Sequence, residues 1–148
     1  LTAAVQGVAN VSMSRERPYA RDCASGSVDA GLDCGAGNRY RSFFSGHTAV
    51  AFTGASVFCM QHLKMKLFGG SWDAVACAGG YGLATATGAL RVMGDMHYTT
   101  DVLLGAAVGT AIGLTVPLLH FQSKKDDRAA LDVRVAPVGQ GLGLTGTF

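Results

Sequence analysis

The sequence predicts an all-α fold, a helical bundle reading as the later helices of a polytopic membrane protein, and three observations carry that prediction. Hydrophobic residues make up 49% of the chain and charged residues 15%, against a usual charged share of about 25%. A nearly unbroken apolar run extends from Val102 to Phe121, close to the ~20 residues that cross a bilayer. The 21 glycines fall mostly inside apolar runs beside alanine, which suits close helix packing in lipid better than a flexible linker. The 148 residues suffice for one domain with a core. A net charge of +2 is too small to argue for nucleic acid as a partner.

Taken in order, residues 1–14 read as the end of a helix. The chain opens inside an apolar helical pattern, so upstream helices are expected beyond Leu1. Arg15 to Phe44 is a polar loop with Pro18, several glycines and two cysteines. A helix is expected from Gly46 to about Lys64, apolar and small at first and then basic. Phe68-Gly69-Gly70 breaks it, and Ser71 is placed to cap the next helix, which runs from Trp72 to Leu90 and is rich in Ala, Gly and Thr. A short loop carries Arg91 to Tyr98. The last helix covers Thr99 to Phe121, and polar sequence begins at Gln122. Val133 to Phe148 is Gly-rich and alternates weakly, as an extended or a disordered segment does. The expected division is a helical domain over 1–123 and a polar, Gly-rich tail over 124–148.

If the three long helices alternate in direction, His47 and His97 share one membrane face, and Lys64, Lys66, Lys124 and Lys125 share the other. Lysines collect on the cytoplasmic side, which puts the histidines outside. A soluble bundle with a very apolar core is the competing reading. Cys23 and Cys34 share the polar loop, where a disulfide would close a short ring and contribute ~3 kcal/mol. Cys59 and Cys77 fall toward the far ends of neighbouring helices and are expected reduced and buried. Oxidation of both pairs would instead point to a periplasmic protein. No Cys-x-x-Cys or zinc spacing occurs, so no metal site is expected.

Chemistry concentrates in three places: Arg17-Pro18; Ser45-Gly46-His47; and Arg91, followed by His97 and then Asp101. Two arginines can clamp an oxyanion bidentately. Histidine can attack or donate a proton near neutral pH, and a carboxylate four residues on can orient its ring. A helix start at Ser45 and Gly46 presents unpaired N–H groups to an anion. Each piece has a plainer reading. Arg17 and Arg91 could be solvated charges, Ser45 a cap, His47 a helix-start residue, and His97 a loop histidine beside a capping Asp101. Asp95, Arg39 and Arg41 read as facing water, and His62 and His120 as structural.

The three segments together resemble the signature of the type 2 phosphatidic acid phosphatase superfamily, which also holds bacterial acid phosphatases and vanadium haloperoxidases. That signature runs Lys-x6-Arg-Pro, Pro-Ser-Gly-His, and Ser-Arg-x5-His-x3-Asp. The resemblance implies His97 as nucleophile through a phosphohistidine, His47 as general acid, and Asp101 as the acceptor on the other ring nitrogen of His97. Arg17, Arg91, Ser45 and Gly46 become the phosphate site. It implies metal-independent hydrolysis with no cofactor, vanadate serving as an inhibitor. The substrate is a phosphorylated lipid or a small phosphomonoester or diphosphate, and the place a bacterial inner membrane with the site facing the periplasm or exterior. Three positions depart from the signature: Asn10 stands at the lysine, Phe44 at the proline and Leu90 at the serine. A soluble periplasmic acid phosphatase, a vanadium haloperoxidase with vanadate as cofactor, and a non-catalytic lipid-binding relative are the alternatives.

Overall fold

A computed structural model describes residues 1–26, 34, 36–129, 132–138 and 141–147. The chain divides into two compact units, Leu1–Thr115 and Val116–Phe148. Among the described residues the helices are α1 (Thr2–Met13), α2 (Ala36–Arg39), α3 (Gly46–Met65), α4 (Trp72–Met93) and α5 (Thr99–Ala129). A 3-10 segment, Pro18–Ala24, lies between α1 and α2.

The ends of these helices follow from local chemistry. Ser14 adopts the left-handed conformation (φ 42°) and its N–H closes α1 on the Asn10 carbonyl. Lys66 does the same for α3 at φ 49°, bonding the carbonyl of His62. Ser71 stands at the start of α4, as expected, but its hydroxyl makes no capping bond. Asp73, in the first turn of α4, instead ties down the preceding turn, accepting from the N–H groups of Phe68 at 3.1 Å and Gly69 at 3.0 Å. His62 Nδ1 lies 2.8 Å from the same carboxylate, and both side chains are buried. His62 therefore has the structural role foreseen for it, tying the end of α3 to the start of α4.

Two helices run longer than the sequence reading. Arg91 belongs to the last turn of α4, which stops only at Gly94, and is not in a loop. The helix α5 continues to Ala129, because Gln122, Lys124, Lys125 and Arg128 are good helix formers despite their polarity.

The regular elements described in the first unit are all helices, and small and hydroxylated residues make up much of their buried core. Gly105, Gly109 and Gly113 recur every fourth position along α5 and lie against the backbone of α3. A Cβ at Gly105 would come 2.7 Å from the Ser45 carbonyl oxygen, one at Gly113 2.6 Å from that of Thr53, and one at Gly109 would overlap that of Ala49. Thr53 Oγ1 completes the contact by donating to the carbonyls of Ala49 and Gly109. The wall between α3 and α4 carries the Ser56–Tyr81 hydroxyl pair, 2.8 Å apart. Large apolar side chains point the other way: Leu83, Leu90 and Leu103 are 75%, 65% and 64% exposed.

Disulfides join Cys23 to Cys34 and Cys59 to Cys77. The first is the bridge expected in the polar loop. The second corrects the expectation of reduced thiols: the end of α3 and the start of α4 come close enough for the Cα atoms of Cys59 and Cys77 to lie 4.6 Å apart, within bonding reach.

In the second unit an antiparallel hairpin pairs Asp132–Val138 with Gly141–Thr147, with Asp132 opposite Thr147 and Val138 opposite Gly141. The weakly alternating tail is thus extended as β-structure. Pro137 fits because each strand of a two-stranded sheet has a free edge.

Among the described residues one helical stretch, Thr99–His120, is long and apolar enough to cross a membrane. Neither α3 nor α4, both expected to span, meets that criterion.

Candidate active site

A cavity of about 570 Å³ opens in the first unit. Five segments line it: Gln6 and Asn10 from α1; Arg17, Asn38 and Arg41 from the stretch between α1 and α3 that includes α2; Gly46 and His47 from the start of α3; Thr87 from α4; and His97 from the turn before α5. Residues far apart in sequence meet there because α3 begins, α4 ends and α5 begins at one end of the bundle. The backbone fastens them. Ser45 N–H donates to the Asp101 carbonyl at 3.1 Å, and Arg17 N–H to that of Arg39 at 2.9 Å.

His97 is 3% exposed. Its Nδ1 lies 2.7 Å from the Ser42 carbonyl oxygen. A carbonyl can only accept, so Nδ1 carries the proton and Nε2 keeps its lone pair. Burial lowers the pKa of the ring to about 4, and Arg17 and Arg91 add to that fall; the Ser42 bond and Asp101 oppose it. The histidine is therefore neutral, with one nitrogen free to attack. His47 is more open, and its pKa is lowered from 6.5 by partial burial first, then by Arg91 and Arg17.

Asp101 does not take the place expected for it. Its carboxylate is fully buried and engaged by Arg15 at 2.5 Å, by Ser42 Oγ at 2.6 Å and by the Tyr98 N–H at 3.2 Å. It reaches His97 through Ser42, whose hydroxyl it accepts from and whose carbonyl accepts from the ring. Those three donors occupy the oxygens that the His97 ring was expected to fill. Arg15, which the motif spacing sets aside, is the counter-charge of this buried carboxylate. It also lies over the Tyr98 ring, 4.3 Å from its centroid.

Arg17 lines the cavity; Arg91 does not, but lies close enough to help lower the pKa of His47 and of His97. Burial and then Arg17 lower the pKa of Arg91, and its Nε is buried with no hydrogen-bond partner among the described residues. A buried guanidinium donor left unpaired is costly, and an anion between the two arginines would satisfy it. Gly46 lines the cavity, and a Cβ there would come 3.0 Å from Gln6 Cδ; glycine thus lets α1 close on the start of α3. Ser45 is buried behind the wall, its Oγ accepting from Thr48 at 2.9 Å, which leaves its own proton to donate. Asn10 lines the cavity beside Arg17, where the family lysine would stand. Arg41, read as facing water, also lines it. Among the described residues no three His, Cys, Asp or Glu side chains form a metal-binding group.

The family model for the PAP2 superfamily matches residues 1–125. A lipid A 1-phosphatase of Porphyromonas gingivalis is 39% identical over 77 residues. That alignment takes in 52% of this chain and 16% of the relative, so the chain spans about a sixth of that protein's length. No solved structure matches the chain.

Proposed function

The chain belongs to the PAP2 superfamily, and from that premise we propose that it is a phosphatase acting on a phosphorylated lipid through a phosphohistidine at His97. The observation that carries the reading is the fixed tautomer of His97, whose Nδ1 is committed to Ser42 and whose ring lines the cavity with Arg17 and His47. The lone pair of Nε2 attacks phosphorus, an N–P bond forms, and the bond from phosphorus to the leaving oxygen breaks. His47 protonates that oxygen. Water then attacks the phosphohistidine and releases phosphate. Arg17 and Arg91 hold the non-bridging oxygens, whose charge is redistributed in the transition state.

The lipid part of the reading rests on two supports. A largely apolar groove of about 410 Å³ between α3 and α4 shares Val50, Ala51 and Thr87 with the catalytic cavity, so an acyl chain can lie beside a phosphate at His97. The similar protein from Porphyromonas gingivalis acts, by its name, on a lipid. The apolar stretch Thr99–His120 and the exposed leucines of α4 and α5 suit a membrane setting. The Cys23–Cys34 bridge in the loop before the site suits an oxidising compartment, which supports the reading of a site facing the periplasm or exterior.

The test is chemical. Wild-type protein quenched during turnover of ³²P-labelled p-nitrophenyl phosphate in EDTA-containing buffer is expected to carry acid-labile, base-stable label. His97→Ala is expected to carry none and to release no phosphate. Label retained on His97→Ala, or turnover by it at the wild-type rate, would overturn the assignment.

A further inference from the structure

The turn that joins α3 to α4 carries a surface that phosphoryl transfer does not use. Leu63, Met65, Leu67, Phe68 and Trp72 are all exposed there, Phe68 to 66% and Trp72 to 67%. Lys64 and Lys66 alternate with them in sequence and are exposed too. The turn is held from within. Asp73 binds the N–H groups of Phe68 and Gly69 and the ring of buried His62. Phe68 packs on that ring, with the centroids 4.6 Å apart. Gly69 and Gly70 take left-handed conformations, φ 77° and 58°, which glycine adopts without strain. His62 and Asp73 thus fill the space beneath the turn, and its large apolar side chains are left outside, clustered more densely than a surface in water favours.

Charge and direction identify what covers this surface. Between Gly46 and Asp95 the one carboxylate is Asp73, and it is buried against His62. Lys64 and Lys66 form no ion pair among the described residues. The surface is therefore apolar and positive, with no exposed negative charge. That combination complements anionic headgroups lying over hydrocarbon. Lysine stems follow apolar surface while the ammonium groups reach the phosphates, and tryptophan favours the boundary between lipid and water. A second copy of the same surface, packed about a two-fold axis, would set lysines against lysines. The direction of α5 agrees. Gly105, Gly109 and Gly113 meet Ser45, Ala49 and Thr53 in that order, so the apolar stretch long enough to cross a membrane runs the same way as α3, toward the turn.

We infer that the α3–α4 turn docks on an anionic lipid surface, with Leu67, Phe68 and Trp72 among the headgroups and upper acyl chains and with Lys64 and Lys66 on the lipid phosphates. The docking is independent of the phosphoryl-transfer chemistry, because the turn contributes no residue to the cavity at His97.

Trp72 is the single tryptophan of the 148 residues, so its fluorescence reports on the turn alone. The chain is reconstituted into vesicles of phosphatidylcholine brominated high on its acyl chains, with no anionic lipid or with about one third phosphatidylglycerol. Bromine quenches a tryptophan only when the two are in close contact. Trp72 emission is expected to be quenched in the anionic vesicles, and the ratio of quenched to unquenched emission to be about tenfold lower in the neutral ones. Lys64→Gln combined with Lys66→Gln is expected to bring the anionic value down to the neutral one. Lys64→Arg combined with Lys66→Arg keeps both charges and is expected to keep the quenching. Emission left unquenched in the anionic vesicles would overturn the docking, as the turn would then face water or another partner. Equal quenching with and without phosphatidylglycerol, or quenching that survives the loss of both lysine charges, would overturn it as well.

Discussion

The His97 ring is buried and neutral, and its pKa of about 4 sets how activity should follow pH. Attack needs the unprotonated ring, so kcat/KM is expected to fall on the acid side with a midpoint near 4. The general acid His47 must be protonated, and its pKa is lowered from 6.5, so the alkaline fall should have its midpoint below that value. The profile is then a bell with an acidic optimum, checked by kcat/KM between pH 3 and 9; a flat profile through the acid range would contradict it. The same shift bears on stability. The unfolded ring, with its pKa of 6.5, binds more protons than the folded one between 6.5 and about 4. The contribution of the neutral ring is therefore full above 6.5 and is lost as pH falls toward 4. Ser42 makes a second residue-scale expectation. Ser42→Ala keeps the carbonyl that orients His97 but removes a donor from the buried Asp101. It should lower stability by about 1.5–3 kcal/mol and kcat by about tenfold with KM little changed, as steady-state kinetics and thermal unfolding would show. The sequence singled out Arg17, His47 and His97, which the fold brings to one cavity, because phosphate chemistry restricts those residue types. It could not expose the link through Ser42: the acceptor is a backbone carbonyl, which every residue has, and only the fold selects it.

The contact of α3 with α5 decides whether those residues meet at all, since it joins the helix that starts at Gly46 to the one that carries Asp101. Gly109 has the carbonyl oxygen of Ala49 where its Cβ would be. Gly109→Ala must separate the two backbones, which is expected to cost about 1–3 kcal/mol, though alanine is intrinsically the better helix former by about 1 kcal/mol. Gly79→Ala and Gly82→Ala are the controls. A Cβ at either meets nothing within 4 Å, so each should stabilise α4 by up to about 1 kcal/mol. Thermal unfolding of the three variants checks this, and equal shifts in the same direction would refute the close packing. The glycine-rich apolar runs suggested such packing, and the fourth-residue recurrence of Gly105, Gly109 and Gly113 was its visible signal. Which helix received that face was not legible, because α4 is also rich in Gly and Ala. The ends of α4 and α5 were misplaced by three and eight residues for a common reason: composition changes at Leu90 and Phe121, but helical hydrogen bonding continues until Gly94 and Ala129.

At the scale of the whole protein, the two disulfides bear on how the first unit stands toward a membrane. Cys23–Cys34 lies in the loop that leads to the site, whereas Cys59–Cys77 lies toward the opposite ends of α3 and α4. Cys59 is thirteen residues beyond Gly46, roughly 20 Å along the helix, short of the ~30 Å thickness of a bilayer core. A bridge at that depth cannot also stand in a reducing cytoplasm, where thiols stay reduced. The lysines near the α3–α4 turn argue for that turn being cytoplasmic, but the bridge argues against it, and a covalent bond outweighs a charge preference of this size. Both ends of the α3–α4 hairpin are therefore expected on the oxidising side, with α5 as the segment that enters the membrane. Cells quenched in acid and alkylated with a maleimide before and after reduction provide the check. All four cysteines should resist alkylation until a reductant is added. Two cysteines reacting without reductant, mapped to Cys59 and Cys77, would return the turn to the cytoplasmic side and restore the spanning arrangement. Replacing Cys59 and Cys77 together by serine should lower stability by about 3 kcal/mol and leave the arrangement of His97, Ser42 and Asp101 intact, because that cluster is held by the opposite end of the bundle.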